Sequence, residues 1–253
     1  MIRVEQIQKR FKKLQALDSI DAEFKEGHVV SLIGPNGSGK TTLIKTILGI
    51  VKPDGGKIYF NHQVVNEDVA YRSHIGYMPQ IGRYPDNMKI GQVIDMIKNI
   101  RNQKDKLDEE LFYEYKMDTM LDKSMRSLSG GTRQKVSAVL AFLFDPEVLI
   151  LDEPTAGLDP LASEILKDKI IREKEKGKLI LITSHILSDL DEITTDVMYL
   201  QDGKVLLYEP IEKIKESTGE ERLGKAIAQI MKNGYKKDEA AYPIVKRLNV
   251  TYA

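Results

Sequence analysis

The chain has 253 residues, 42% hydrophobic and 30% charged, enough for one large domain or two small ones with a core of useful size. Its 38 basic and 38 acidic side chains cancel, which argues against bulk attraction to nucleic acid or anionic lipid. There is no cysteine, so disulfides and thiolate metal sites are excluded, and no apolar run approaches the ~20 residues of a membrane span.

The first residues, Met1 to Gln6, lack the apolar stretch of a signal peptide. Val29 to Ile33 is a short apolar run that predicts a buried strand. Gly34-Pro35-Asn36-Gly37-Ser38-Gly39-Lys40-Thr41 follows and matches the phosphate-loop pattern in full. Polyanionic phosphate needs many donors at close range, which glycines allow the backbone to supply. Lys40 would reach the β- and γ-phosphates, and the Thr41 hydroxyl would face a Mg²⁺ ion. Apolar residues at Leu43, Ile44, Ile47 and Leu48 predict a helix from near Lys40 that adds its positive dipole end, and Gly49 fits its stop. At average residue frequencies such a loop arises by chance on the order of one time in a hundred at this length.

Pro53-Asp54-Gly55-Gly56 reads as a turn, Lys57 to Phe60 as a strand, and Ile75 to Met78 as another closed by Pro79. From about Lys89 to Leu143 the pattern turns helical. Val93, Ile94, Ile97 and Ile100 mark one helix, and Val136, Val139, Leu140 and Leu143 mark another. Within this stretch Leu128-Ser129-Gly130-Gly131-Thr132 precedes a helix, with Ser129 as its N-cap. Two glycines at a capped helix start also make a second anion cradle.

Val148 to Leu151 predicts a strand ending in Asp152 and Glu153, at the edge where open α/β sheets bind ligands. Asp152 would hold Mg²⁺ and Glu153 would orient and deprotonate an attacking water. Asp159 before Pro160 predicts an N-cap with proline at the first helical position, opening a helix to about Lys176. Leu179 to Ile182 predicts a strand, and a short helix is expected from about Leu187. Val197 to Leu200 and Lys204 to Tyr208 flank Asp202-Gly203, a hairpin signal. Leu223, Ile227, Ile230 and Met231 suggest one further helix, then a charged tail. His28, His62 and His74 fit no motif and read as surface residues. Alternating strands and helices predict an α/β fold with a mostly parallel sheet and an inserted helical subdomain.

A phosphate loop, then Leu-Ser-Gly-Gly, then an Asp-Glu strand resembles the ABC ATPase family over about residues 1–215. The resemblance implies a P-loop ABC-type fold with an antiparallel β subdomain, a helical subdomain at about 85–145 and a C-terminal extension at 216–253. It further implies a head-to-tail dimer, of two identical or two related ATPase subunits, with each ATP between residues 34–42 of one chain, Thr42 included, and Leu128, Ser129, Gly130, Gly131 and Thr132 of the other. Phe11 looks like the aromatic that stacks on adenine, and Gln80 like the glutamine that contacts Mg²⁺ or water and senses a membrane partner. Asp159 is similar to the residue of the interface-crossing loop, and His185 to the switch histidine at the γ-phosphate. The family's glutamine after the two glycines is replaced by Thr132, which puts the details of the contact across the dimer in question.

The function so implied is an ATPase at the cytoplasmic face of the membrane, driving an integral membrane transporter subunit, with ATP and Mg²⁺ and without nucleic acid. The alternative is a non-transport ABC ATPase acting as a switch. Repair and chromosome forms place long coiled coils between their motifs, and the interval from Thr42 to Val148 is too short for one. A small P-loop kinase or GTPase leaves Ser129, Asp159 and His185 unexplained. The compact domain resembles exporter types, since the chain after Pro210 is short for a regulatory barrel. Ile186 to Asp191 and Glu220 to Met231 resemble the ATPase of the copper-maturation transporter for nitrous oxide reductase.

Overall fold

A computed structural model describes residues 1–65, 69–184 and 191–233. Two sheets organise them. Strands β1 (Ile2–Phe11), β2 (Leu14–Phe24), β4 (Gly55–Phe60) and β5 (Gln63–Val64) form an antiparallel sheet in the order β2-β1-β4-β5. Strands β3 (Val29–Ile33), β6 (Ile75–Met78), β7 (Val148–Asp152), β8 (Leu179–Thr183), β9 (Asp196–Gln201) and β10 (Lys204–Pro210) form the other, in the order β10-β9-β3-β8-β7-β6. All its neighbours run parallel except β10, which turns back on β9. The mostly parallel core sheet is therefore as the sequence pattern predicts, and the antiparallel subdomain as the family resemblance implies.

The central strands are apolar on both faces, as strands covered on both sides must be. Their alternation still sorts them. Val30, Leu32, Val148, Ile150, Leu179 and Leu181 face a cluster shared with the antiparallel sheet and α1 (Lys40–Ile47). Val29, Ile33, Leu149, Leu151, Ile180 and Ile182 face the second cluster. That cluster holds α2 (Ile90–Arg101), α3 (Glu110–Glu114), α4 (Gly130–Phe142) and α5 (Pro160–Glu175). The two sheets are also tied directly, by Asp18 N–H on Gly203 O at 2.8 Å and the Tyr208 hydroxyl on Glu23 O at 2.9 Å.

Several local expectations shift. Gly55 and Gly56 open β4 instead of closing a turn. Ile100 is 72% exposed, because the last turn of α2 runs past the core that buries Val93 and Ile94. The hairpin of β9 and β10 has both turn residues at positive φ, 49° for Asp202 and 76° for Gly203, the geometry that suits the twist of paired strands. His28 and His74 are paired rather than idle, with Asp196 and Glu147 at 2.6 and 2.8 Å.

The sequence shows no sign of α6 (Ile211–Thr218), which follows β10 directly; α7 (Leu223–Asn233) is the last helix described. Residue 215 falls inside α6, and Ile211, Ile214, Leu223 and Ala226 bury in the same cluster as the core sheet. The short helix expected from Leu187 lies outside the described residues. Among the described residues no helix is long and apolar enough to cross a membrane.

Candidate functional site

The strand order places the expected site along one edge. Strands β3, β8, β7 and β6 are successive neighbours, and their carboxyl ends lead into Gly34, Ser184, Glu153 and Pro79. Ligands of open α/β sheets bind at this edge.

The phosphate loop closes between β3 and α1. Its glycines have different physical reasons. A Cβ on Gly34 would lie 2.1 Å from Leu200 O, and one on Gly39 would lie 2.5 Å from Ala16 O. Gly37 has open space but a φ of 81°. Gly39 is the N-cap of α1 at φ 108°, so Lys40, Thr41 and Thr42 form the first turn with backbone donors that the helix itself leaves free. Lys40 Nζ donates to Gly34 O at 2.7 Å and Pro35 O at 3.0 Å. Partial burial pulls its ammonium below the ordinary pKa, while the Glu153 and Asp152 carboxylates push it back up. Those two acids therefore lie within electrostatic reach of the lysine. The Ser38 hydroxyl is buried without a hydrogen-bond partner. A buried orphan donor and the free first-turn N–H groups of α1 fit a phosphate. Asn36 and Pro35 complete the loop, and Phe11, 45% exposed, stands at the tip of the hairpin whose Ala16 backs onto Gly39.

The carboxylate pair is held from three sides. Asp152 is buried at the end of β7, and its Oδ1 accepts from the Thr183 hydroxyl. Glu153 leaves the strand with a left-handed backbone at φ 53°. Its N–H reaches both Thr183 O at 3.0 Å and Thr183 Oγ1 at 3.1 Å. Its Oε2 accepts from Gln80 Nε2 at 2.9 Å, and its carbonyl accepts from Gln134 Nε2 at 3.2 Å. The structure thus brings Gln80 and Glu153 together, a contact between the two side chains that the sequence reading does not include. Tyr77 is pushed up to about 12, by burial first and then by the Asp152 charge, so a neutral phenol lies nearby. The hydroxyl of Thr41, the carboxylate of Asp152 and the amide oxygen of Gln80 are hard oxygen donors, the type that suits Mg²⁺.

The second cradle begins α4. Ser129 Oγ accepts from Thr132 N at 3.2 Å, which confirms the N-cap, and lies 2.9 Å from Thr132 Oγ1. The threonine that stands where the family has glutamine therefore turns back on the cap. A Cβ on Gly131 would meet Gly157 O at 2.6 Å, whereas one on Gly130 would meet open space. Leu128 packs against the core beside them. Asp159 caps α5 by accepting from Ala162 N at 3.0 Å, and Lys135 of α4 reaches its other oxygen at 2.6 Å. His185 lies outside the described residues. Thr183 and Gln134, which hold the carboxylate pair, were not singled out from the sequence. The polar ending of the apolar run, at Thr183-Ser184, was the available signal for Thr183.

Another group of acids, Asp108, Asp145 and Glu173, has carboxylate oxygens within 4.8 Å of one another. Lysines meet their charge. Lys169 Nζ lies 2.5 Å from Asp108, 2.7 Å from Glu110 and 3.0 Å from Glu173, and Lys178 pairs with both Asp145 and Glu173.

Comparison with known proteins agrees with this geometry. Residues 17–156 match the ABC transporter family. The chain is 30% identical over 228 residues to the daunorubicin resistance ATP-binding protein DrrA3 of Streptomyces coeruleorubidus, covering 88% of this chain and 72% of that one. It is 33% identical over 213 residues to a probable sulfate/thiosulfate import ATP-binding protein CysA of Chlorella vulgaris, covering 81% and 89%. A solved ATP-binding subunit of an ABC transporter superposes with a TM-score of 0.84 at 26% identity, over 91% of this chain and 99% of that one. This chain accordingly belongs to the ABC transporter family, as an ATP-binding subunit that hydrolyses ATP.

Proposed function

We propose that two copies of this chain, or this chain and a related subunit, close head to tail over two ATP molecules and drive a separate integral membrane subunit. Each ATP would lie between residues 34–42 of one chain and Leu128 to Thr132 of the other. The observation that carries this reading is the second cradle: a capped helix start with Gly130 facing open space. Its Ser129 hydroxyl bonds to Thr132, within its own cap, while the acids gather at the phosphate loop. Two anion cradles with one set of acids fit a site shared between chains.

Within such a site Lys40 and the first-turn N–H groups of α1 bind the β- and γ-phosphates, and Phe11 stacks on the base. Thr41, Asp152 and Gln80 would hold Mg²⁺, which would neutralise phosphate charge. Glu153 orients the attacking water and takes its proton. Gln80 holds the Glu153 carboxylate through its Oε2. Asp159 and Gly157 carry the loop at the interface, and His185 is assigned to the γ-phosphate.

The membrane partner would dock beside Gln80, a reading supported by Ile81, 62% exposed next to the half-buried Tyr84. That position would set the chain on the cytoplasmic face as a peripheral subunit. The relatives carry both directions in their names, a nod factor export protein and a sulfate/thiosulfate import protein. Purification of the membrane subunit bound to this chain, followed by transport in vesicles, decides direction and whether the cargo is copper.

The reading is tested by Glu153→Gln. That variant binds ATP normally, loses steady-state hydrolysis and accumulates as an ATP-bound dimer. Hydrolysis near the native rate would remove Glu153 from its assigned role.

A further inference from the structure

The end of β8 contributes a side chain that touches both members of the carboxylate pair. Asp152 and Thr183 are register partners on adjacent parallel strands. Thr183 is 1% exposed, and its hydroxyl has one proton to give. That proton goes to Asp152 Oδ1. Its oxygen in turn accepts the N–H of Glu153 at 3.1 Å, and the same N–H reaches the Thr183 carbonyl at 3.0 Å.

Each contact has a consequence. A carboxylate with one oxygen tied to a fixed donor has lost its free rotation, so the second oxygen of Asp152 is held in one direction. Glu153 sits at φ 53°, a region that a residue with a Cβ enters only when its surroundings hold it there. The three-centre bond from its N–H to Thr183 is one such restraint, and the Gln134 amide and the Ala156 N–H on its carbonyl are others. We infer that Thr183 is a positioning residue of the ATPase site: one hydroxyl sets the direction of the metal-facing carboxylate and the backbone from which the water-activating carboxylate projects. This inference rests on the roles proposed above for Asp152 and Glu153.

The test compares Thr183→Val, which keeps the branched shape and removes the hydroxyl, with Thr183→Ser, which restores it. Two quantities are read: kcat, and the Mg²⁺ concentration that half-saturates the metal-dependent gain in binding of a fluorescent ATP analogue. Binding of the analogue in EDTA serves as the measure of an intact phosphate loop. In Thr183→Val, kcat falls about tenfold and the half-saturating Mg²⁺ rises several-fold, the scale of one lost hydrogen bond to a charged group. Binding in EDTA stays native, and Thr183→Ser returns both quantities to within about twofold of native.

A valine variant with native kcat and native Mg²⁺ response would overturn the inference. So would a serine variant that behaves like valine, or a loss appearing equally in EDTA, since either makes Thr183 a packing residue. Asp152→Asn and Glu153→Gln are measured in parallel. If those two hydrolyse ATP normally, the underlying site assignment fails; if they are inactive while valine is native, only the role of Thr183 fails.

Discussion

Lys40 sits among the carbonyls of Gly34 and Pro35 with two carboxylates in electrostatic reach. Its replacement by alanine removes the one side-chain cation of the loop while leaving the backbone donors. ATP affinity in Lys40→Ala is expected to fall by at least tenfold, measured by equilibrium binding; unchanged affinity would remove Lys40 from the site. Gly39 illustrates a different constraint. Its φ of 108° and the carbonyl of Ala16 exclude any Cβ, so Gly39→Ala should unfold at lower denaturant, by about 1–3 kcal/mol, with or without nucleotide. Much of the site was legible at this scale. Lys40, Asp152, Glu153 and Ser129 each stand in a local pattern whose chemistry is complete within a few residues of chain. Thr183 and Gln134 do not. Their partners lie 31 and 19 residues away in sequence, and only strand register and helix packing bring them together.

At the scale of elements, the strands that carry the site were the easiest to read, because β3, β7 and β8 are continuous apolar runs bounded by loop residues. Strand β1 was harder. Its inward residues Ile2, Val4 and Ile7 break the two-residue period at Gln6, where φ is 48° and the pairing register shifts. Helix α6 follows β10 with no linker, and its two buried residues, Ile211 and Ile214, make too short a pattern to signal a helix.

Helix α4 depends on its cap, so Ser129→Ala should cost about 1 kcal/mol of stability by chemical denaturation. Helix α5 is joined to the helical subdomain by buried charge. Burial would raise the pKa of Glu173, but hydrogen bonds from Lys176, Lys178 and Lys169 outweigh it and hold the carboxyl at about 2, against an ordinary 4.5. A group depressed in this way stabilises the fold fully above its unfolded pKa. That contribution should be lost as pH falls from 4.5 toward 2, and Glu173→Gln should flatten the acid limb of the stability curve there. Removing Lys169 instead leaves three carboxylates facing one another without it, and Lys169→Met should destabilise the protein by several kcal/mol, about the cost of breaking a buried pair.

At the scale of the whole molecule, the two cradles belong to different parts of the chain. The phosphate loop springs from the core sheet, and the second cradle opens a helix of the inserted subdomain. The contacts of Gln134 with Glu153, Gly131 with Gly157 and Lys135 with Asp159 join that helix to the loops after β7. An event at one site of a shared pair would therefore reach the other through a short path of packed groups. A chain with only its own residues should hold ATP but not enclose it.

The most direct measurement mixes two defective chains. Lys40→Ala and Ser129→Arg are each made on a Glu153→Gln background, and nucleotide retained after rapid gel filtration is counted for each alone and for the mixture. In a head-to-tail dimer the mixed pair collects both lesions in one site and leaves the other intact, so mixing should recover about one retained ATP per mixed dimer where each variant alone holds almost none. A mixture that retains no more nucleotide than its separate components would contradict the shared site.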